Sequence, residues 1–303
     1  MDALRTPDER FADLAAFPYT PKYFDNLPGY DGLRAAVIDE GPRDAGSTFL
    51  CLHGEPTWSY LYRKMIPVFL GTGARVVAPD FFGFGRSDKP RKESQYGFHF
   101  HRNYLLRIIE ELDLHPITLV VQDWGGLLGL SLPADPSARR RITRVVVMNT
   151  GLAIGEDAGE GFRSWRSYVE ANPDLACGKL LKRGKSDMTD AEVRAYDAPY
   201  PDATYKAGVR VFPQLVMDRP EMEGVAESRA ARQYWRHEWR GQSFMAYGAK
   251  DPVFRPEVME ALRANIQGCP PALVIPEGGH FVQEWGREIA EAAVRSFAIR
   301  DER

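Results

Sequence analysis

The run Leu119-Val120-Val121-Gln122-Asp123-Trp124-Gly125-Gly126 joins a β-branched strand to a small-residue helix start through a tight turn. Elsewhere, a G-x-S-x-G turn of this form presents a serine on a strained corner. Here a carboxylate, Asp123, holds the serine position, and Gln122 precedes it. Gly125 takes the second glycine's place, where strand and helix pack closely. The amides that open the new helix favour negative charge at the corner. A serine attacking saturated carbon would leave an ether, which water does not readily cleave. A carboxylate attacking the same carbon leaves an ester, and activated water can attack its carbonyl carbon. Asp123 therefore suits a substrate that carries a leaving group on saturated carbon. Taken alone, the same turn also suits Asp123 as a plain helix N-cap.

A nucleophile on such a turn needs an acid and then a histidine, in that chain order. Asp251 follows the strand pattern Phe244–Gly248, and His280 follows Leu273–Ile275 in Gly278-Gly279-His280-Phe281. Both stand at strand carboxyl ends, where open α/β sheets place their sites. His53, His99, His101, His115 and His237 lack that placement. Asn149 ends the strand Val145–Met148, but an amide supplies no charge, which leaves Asp251 as the orienting acid. The loop His53-Gly54-Glu55-Pro56-Thr57-Trp58 also follows a strand and is positioned to donate backbone N–H to an oxyanion. The hole is assigned to the N–H groups of Glu55 and Trp124, each such donor typically lowering a barrier by about 2.7–4 kcal/mol. The G-x-G within Asp80–Asp88 is a weak nucleotide signal, because Asp88 stands where a third glycine would be. A turn bracing the edge of the site fits it better.

The elements that position these residues alternate strand with helix, the pattern of a mostly parallel sheet covered on both faces. Strands are expected at Leu33–Asp39, Thr48–His53, Arg75–Pro79, Ile117–Val121, Val145–Met148, Phe244–Gly248 and Leu273–Ile275. Helices are expected at Tyr60–Phe69, Phe98–Leu112, Trp124–Leu132, Glu257–Ile266 and Gln283–Phe297. Between Ile154 and Pro220 strand signals vanish, and Pro, Gly, Trp and Tyr alternate with short helical pieces. That length is too great for a plain loop. The expected division is a core of residues 1–153 and 221–303 with a helical cap of residues 154–220. A separate domain placed elsewhere is the alternative, though core-type alternation returns afterwards.

The 303 residues can bury a sizeable core, and 44% apolar with 27% charged residues is ordinary for a globular protein. A net charge of −3 gives no reason to expect nucleic acid or an anionic membrane as partner. Arg139, Arg140 and Arg141 read as a solvated helix end. Cys51, Cys177 and Cys269 are an odd count without paired or zinc-type spacing, and Cys51 reads as a small buried hydrophobe. The acidic N-terminal segment is not a secretory signal, and no apolar run reaches about 18 residues. The cytoplasm is the expected compartment.

Together these residues resemble the haloalkane dehalogenases. The matching pieces are His53–Trp58, Asp80–Pro90, Gln122–Gly126, Gly248–Asp251 and Gly279–Glu284, and the likeness extends over nearly the whole chain. The resemblance implies an α/β-hydrolase fold and hydrolysis of a carbon–halogen bond to alcohol and halide. Asp123 would displace halide, and His280, oriented by Asp251, would activate water against the alkyl-enzyme ester. It implies no metal or organic cofactor, a small haloalkane and water as partners, and a monomer. It also places halide-binding indoles at Trp124 and at Trp165, the latter within Gly161-Phe162-Arg163-Ser164-Trp165. An indole N–H donates and cannot accept. By the same analogy Phe162, Phe212, Pro213 and Val216 wall the pocket. Leu127 and Phe254 depart from the familiar aromatic and smaller aliphatic at those positions, which bears on chain length. Trp235 and Trp239, an i,i+4 pair, read as core packing, and Trp58 and Trp285 as structural. An epoxide hydrolase would share the Asp and His–Asp set, with cap tyrosines among Tyr168, Tyr196, Tyr200 and Tyr205 as acids. A non-catalytic binding protein of the same fold would not require that set.

Overall fold

A computed structural model describes residues 1–301. Runs rich in Val, Ile and Leu build its centre. Strands β1 (Ala3–Leu4), β2 (Lys22–Phe24), β3 (Ala35–Glu40), β4 (Thr48–Leu52), β5 (Arg75–Pro79), β6 (Lys89–Pro90), β7 (Ile117–Val121), β8 (Ile142–Met148), β9 (Gln242–Gly248) and β10 (Leu273–Ile275) follow in chain order. Among the described residues, eight form one sheet in the order β10-β9-β8-β7-β4-β5-β3-β2. The pairs from β10 through β5 are parallel, and β3 and β2 add antiparallel edges. The short β1 pairs separately with β6.

Every residue of β4, β5 and β7 is buried, as both-face coverage requires. Alternation sorts their side chains into two cores. Leu50, Leu52, Leu119 and Val121 join one cluster, whereas Phe49, Cys51 and Val120 join the other. Helices α1 (Ile66–Leu70), α2 (Phe98–Glu111), α3 (Asp123–Gly129), α4 (Pro136–Arg141), α10 (Pro256–Ala264) and α11 (Gly286–Asp301) accompany the sheet. The three arginines close the last turn of α4, where positive charge is favourable.

Between β8 and β9 the chain forms α5 (Gly159–Ala171), α6 (Cys177–Gly184), α7 (Asp190–Asp197), α8 (Ala207–Leu215) and α9 (Val225–Gln233), with no strand among the described residues. This helical stretch is fastened to the sheet side at several points. Thr6 Oγ1 donates to Pro199 O, Tyr200 Oη to Pro56 O, and buried Arg63 reaches Glu192 and the Tyr196 hydroxyl of α7.

Several expected elements differ, and the helix expected at Gln283–Phe297 is a 3-10 turn, Val282–Trp285, followed by α11. The single helix Tyr60–Phe69 is a 3-10 turn, Ser59–Tyr62, followed by α1. Pro67 sits in the first turn of α1, where its missing N–H costs no helical hydrogen bond. The edge strands β1, β2 and β6 were not expected; two or three residues carry no readable alternation. The Asp80–Asp88 segment is a turn built on its own carboxylates. Asp80 accepts from Ser59 N and Arg86 N, and Asp88 accepts from Arg34 N and from Arg5.

Candidate active site

Asp123 lies where β7 breaks into α3, with φ at +50°. A non-glycine residue held there stores about 1–3 kcal/mol of strain. Close packing enforces the corner. A Cβ on Gly125 would meet Leu52 O at 2.0 Å, and one on Gly54 would meet Asp123 Oδ1 at 2.2 Å. The Asp123 N–H donates to Asn149 O, and Thr150 Oγ1 donates to Asp123 O. The side chain is thus exposed into the site while its backbone is clamped, which an N-cap role does not need.

The two oxygens of Asp123 face different groups. Oδ1 accepts the Glu55 N–H at 2.7 Å. Oδ2 lies 3.4 Å from Nε2 of His280. The other ring nitrogen, Nδ1, is 2.9 Å from Asp251 Oδ2. Asp251 is buried and held by the Val253 N–H and by Asn149 Nδ2. Burial alone would raise its pKa, but the His280 charge and these donors bring it below the usual carboxylate range. Burial disfavours the His280 imidazolium, yet Asp251 and Asp123 outweigh that and raise the group to about 10. Gln122 Nε2 donates to His280 O and ties the histidine loop to the nucleophile turn.

A cavity of about 750 Å3 opens on this set. It is lined by Glu55, Asp123, Trp124 and His280, with Leu127, Phe162, Trp165, Pro213, Val216 and Phe254 among the wall residues. Phe212 is a correction: it is fully buried behind Trp124, at 4.7 Å between ring centroids, and does not line the cavity. From α8 its ring packs against Phe84, Tyr96 and His101 as well as Trp124. The indoles of Trp58, Trp235 and Trp239 are satisfied by Ala195 O, Leu130 O and Ser243 Oγ. Trp285 lies under the Lys185 ammonium. Trp124 and Trp165 are the tryptophans placed on the cavity. Tyr168, Tyr196, Tyr200 and Tyr205 do not line it. Tyr196 donates to Glu284, Tyr200 to Pro56 O, and Tyr168 accepts from Arg183.

Asn149 was set aside in the sequence for lacking charge. In the fold it donates to Asp251 Oδ2 at 2.9 Å and accepts from the Gly248 N–H. Its position at the end of β8, beside the nucleophile strand, was the available signal. Among the described residues no His/Cys/Asp/Glu group has the arrangement of a metal site, and no helix is long and apolar enough to cross a membrane.

The family profile of the α/β-hydrolase fold matches residues 47–287. A haloalkane dehalogenase of Psychrobacter cryohalolentis is 41% identical, over 97% of this chain and 98% of its own. Haloalkane dehalogenase 1 of Mycobacterium tuberculosis is 42% identical, over 96% and 97%. The solved structure of a tetrameric haloalkane dehalogenase from Paraglaciecola agarilytica superposes with a TM-score of 0.95 at 50% identity, covering 98% of this chain and 99% of that one. This last relative overturns the expectation of a monomer. Subunit number is set by surface patches assembled in the fold, which composition does not register. The Asp–His–Asp geometry and the full-length likeness agree, and the chain belongs to the haloalkane dehalogenases of the α/β-hydrolase fold.

Proposed function

We propose that the enzyme cleaves carbon–halogen bonds in two displacements on Asp123. Oδ2 attacks the halogen-bearing carbon, a C–O bond forms, and the C–X pair leaves as halide. Oδ1, pinned by the Glu55 N–H, becomes the ester carbonyl oxygen. Neutral His280 then takes a proton from water as the water oxygen attacks the Asp123 carboxyl carbon. Negative charge passes to Oδ1, where the N–H groups of Glu55 and Trp124 stabilise it. Collapse breaks the bond from the carboxyl carbon to the alkoxy oxygen, the alkoxide takes the proton from His280, and the acid left on Asp123 gives up the second water proton through His280 to solvent, restoring the carboxylate. Asp251, braced by Asn149, fixes the ring and favours its transient charge.

The leaving halide is received by the indole N–H groups of Trp124 and Trp165. Residues 154–220 serve as the cap that closes the apolar cavity over the core of residues 1–153 and 221–303. Buried thiols such as Cys51 and Cys177 fit a cytoplasmic setting.

The observation that carries this reading is the split environment of Asp123, with one oxygen in a backbone donor and the other facing His280. The epoxide alternative requires a phenol over the cavity, and Tyr196 and Tyr200 are committed elsewhere. A panel of chloro-, bromo- and iodoalkanes tests the proposal. Halide release is expected from bromoalkanes, is lost in Asp123→Asn, and is accompanied by no turnover of a styrene-type epoxide. Epoxide turnover without halide release would reverse the assignment. Ligand binding without any turnover would favour the binding protein.

A further inference from the structure

The Glu55 backbone has a task in the proposed reaction, but its side chain has none. The residue is 3% exposed and lines the cavity. Its Oε1 has no hydrogen-bond partner. The Trp165 indole lines the same cavity and acts on the carboxyl as a donor that favours its charged form. The titratable groups that face it are Asp123, His280, Cys177 and Tyr200. Of these only His280 can carry positive charge, and its favourable effect on the carboxylate is outweighed. Burial first, and then the Asp123 charge, push Glu55 well above the ordinary carboxylate range.

A protonated carboxyl has both a carbonyl acceptor and an O–H donor, whereas an ionised one only accepts. An ionised Glu55 would hold the Trp165 N–H for itself and set a second negative charge beside the departing halide. A protonated one can release that N–H and turn a donor toward an anion.

We propose that the Glu55 carboxyl, in its protonated form, is a third member of the halide subsite, yielding the Trp165 N–H to the leaving halide and donating its own O–H beside it. The inference rests on the reading of Trp165 as a halide ligand. Halide and the Glu55 proton then bind together, so bromide affinity falls as alkali removes that proton, by about tenfold per pH unit beyond the transition. His280 also titrates in alkali and would add a limb of the same sign, so the test is made in His280→Gln protein.

Bromide binding is followed by quenching of tryptophan fluorescence at constant ionic strength, in His280→Gln alone and with Glu55→Gln, Glu55→Ala or Trp165→Phe added. At neutral pH the Glu55→Gln protein, whose amide keeps a donor, is expected to bind bromide within about threefold of its parent. Glu55→Ala is expected to bind at least about tenfold more weakly while remaining folded by circular dichroism. The alkaline weakening is expected in the parent and absent with Glu55→Gln. Parallel pH curves in those two proteins, or undiminished affinity in the alanine variant, would overturn the proposal. Trp165→Phe separates the two layers. If it leaves affinity unchanged, the reading of Trp165 fails; if it weakens binding while the Glu55 variants do not, only the role of Glu55 fails.

Discussion

In the proposed reaction the chemistry turns on the charge that Asp123 loses when it is alkylated. In the resting protein Asp123 and Asp251 flank His280 and raise it to about 10 against the opposing effect of burial. Esterification removes one of these two charges, that of Asp123, so the ring loses its proton more readily in the ester. Hydrolysis of the ester needs the neutral ring. Its rate is therefore expected to fall about tenfold per pH unit on the acid side of a midpoint below 10, whereas alkylation lacks that limb. Rapid-quench single turnovers with a bromoalkane separate the two steps. Hydrolysis with its midpoint unshifted from 10 would show that the Asp123 charge does not govern the base. Asn149→Ala is expected to slow hydrolysis but not alkylation, by the equivalent of about 1.5–3 kcal/mol for a hydrogen bond to a charged group. Equal slowing of both steps would make Asn149 a general structural residue instead.

At the scale of elements, the histidine loop and α7 are joined through one buried cation. Arg63 pairs with Glu284 at 2.7 Å and Glu192 at 2.8 Å, and its side chain is fully buried. Removing one partner of such a pair leaves an uncompensated buried charge. Glu284→Gln is expected to lose about 3 kcal/mol of stability in denaturant melts; a change within about 0.5 kcal/mol would mean the network is idle. Burial opposes the Glu192 carboxylate, but Arg63 and the Thr189 donors bring it down to about 2. A depressed carboxylate contributes stability above its unfolded value of about 4.3, lost as pH falls toward 2. Glu192→Gln should flatten the acid melting curve over that window. The elements themselves were legible where local pattern decides. Arg75–Pro79, Ile117–Val121 and Leu273–Ile275 appear with the bounds read from sequence, because short apolar runs there stop at Asp, Gln and Pro. Asp123, Asp251 and His280 were legible because each follows a strand in a known order. The parts that were not legible are long-range. Asn149 meets Asp251 across 102 residues, and Arg63 meets Glu284 across 221. Phe212 was misplaced because no one-dimensional pattern says which side of α8 faces the cavity.

The whole molecule sets how much substrate the site can enclose. Leu127 from the sheet side and Phe162, Pro213 and Val216 from the helical stretch wall a cavity of about 750 Å3, a size that holds far more than a two-carbon chain. Each buried methylene contributes about 0.8 kcal/mol, or about fourfold in affinity. Halide release from 1-bromoalkanes is therefore expected to gain several-fold in kcat/KM per added carbon from two carbons to about six. A maximum at two carbons would mean the cavity closes to a small pocket when substrate enters. The scale of assembly lies beyond single-chain patterning, as the tetrameric relative at 50% identity demonstrates.

In the proposed mechanism carbon is transferred to Asp123, and His280 is needed only to release it. Intact-mass spectrometry of His280→Gln protein after exposure to a bromoalkane tests this most directly. A mass gain of one alkyl group is expected, confined on digestion to the peptide carrying Asp123 and absent from Asp123→Asn protein. An unchanged mass in folded His280→Gln protein, or an alkyl group on any other residue, would contradict it.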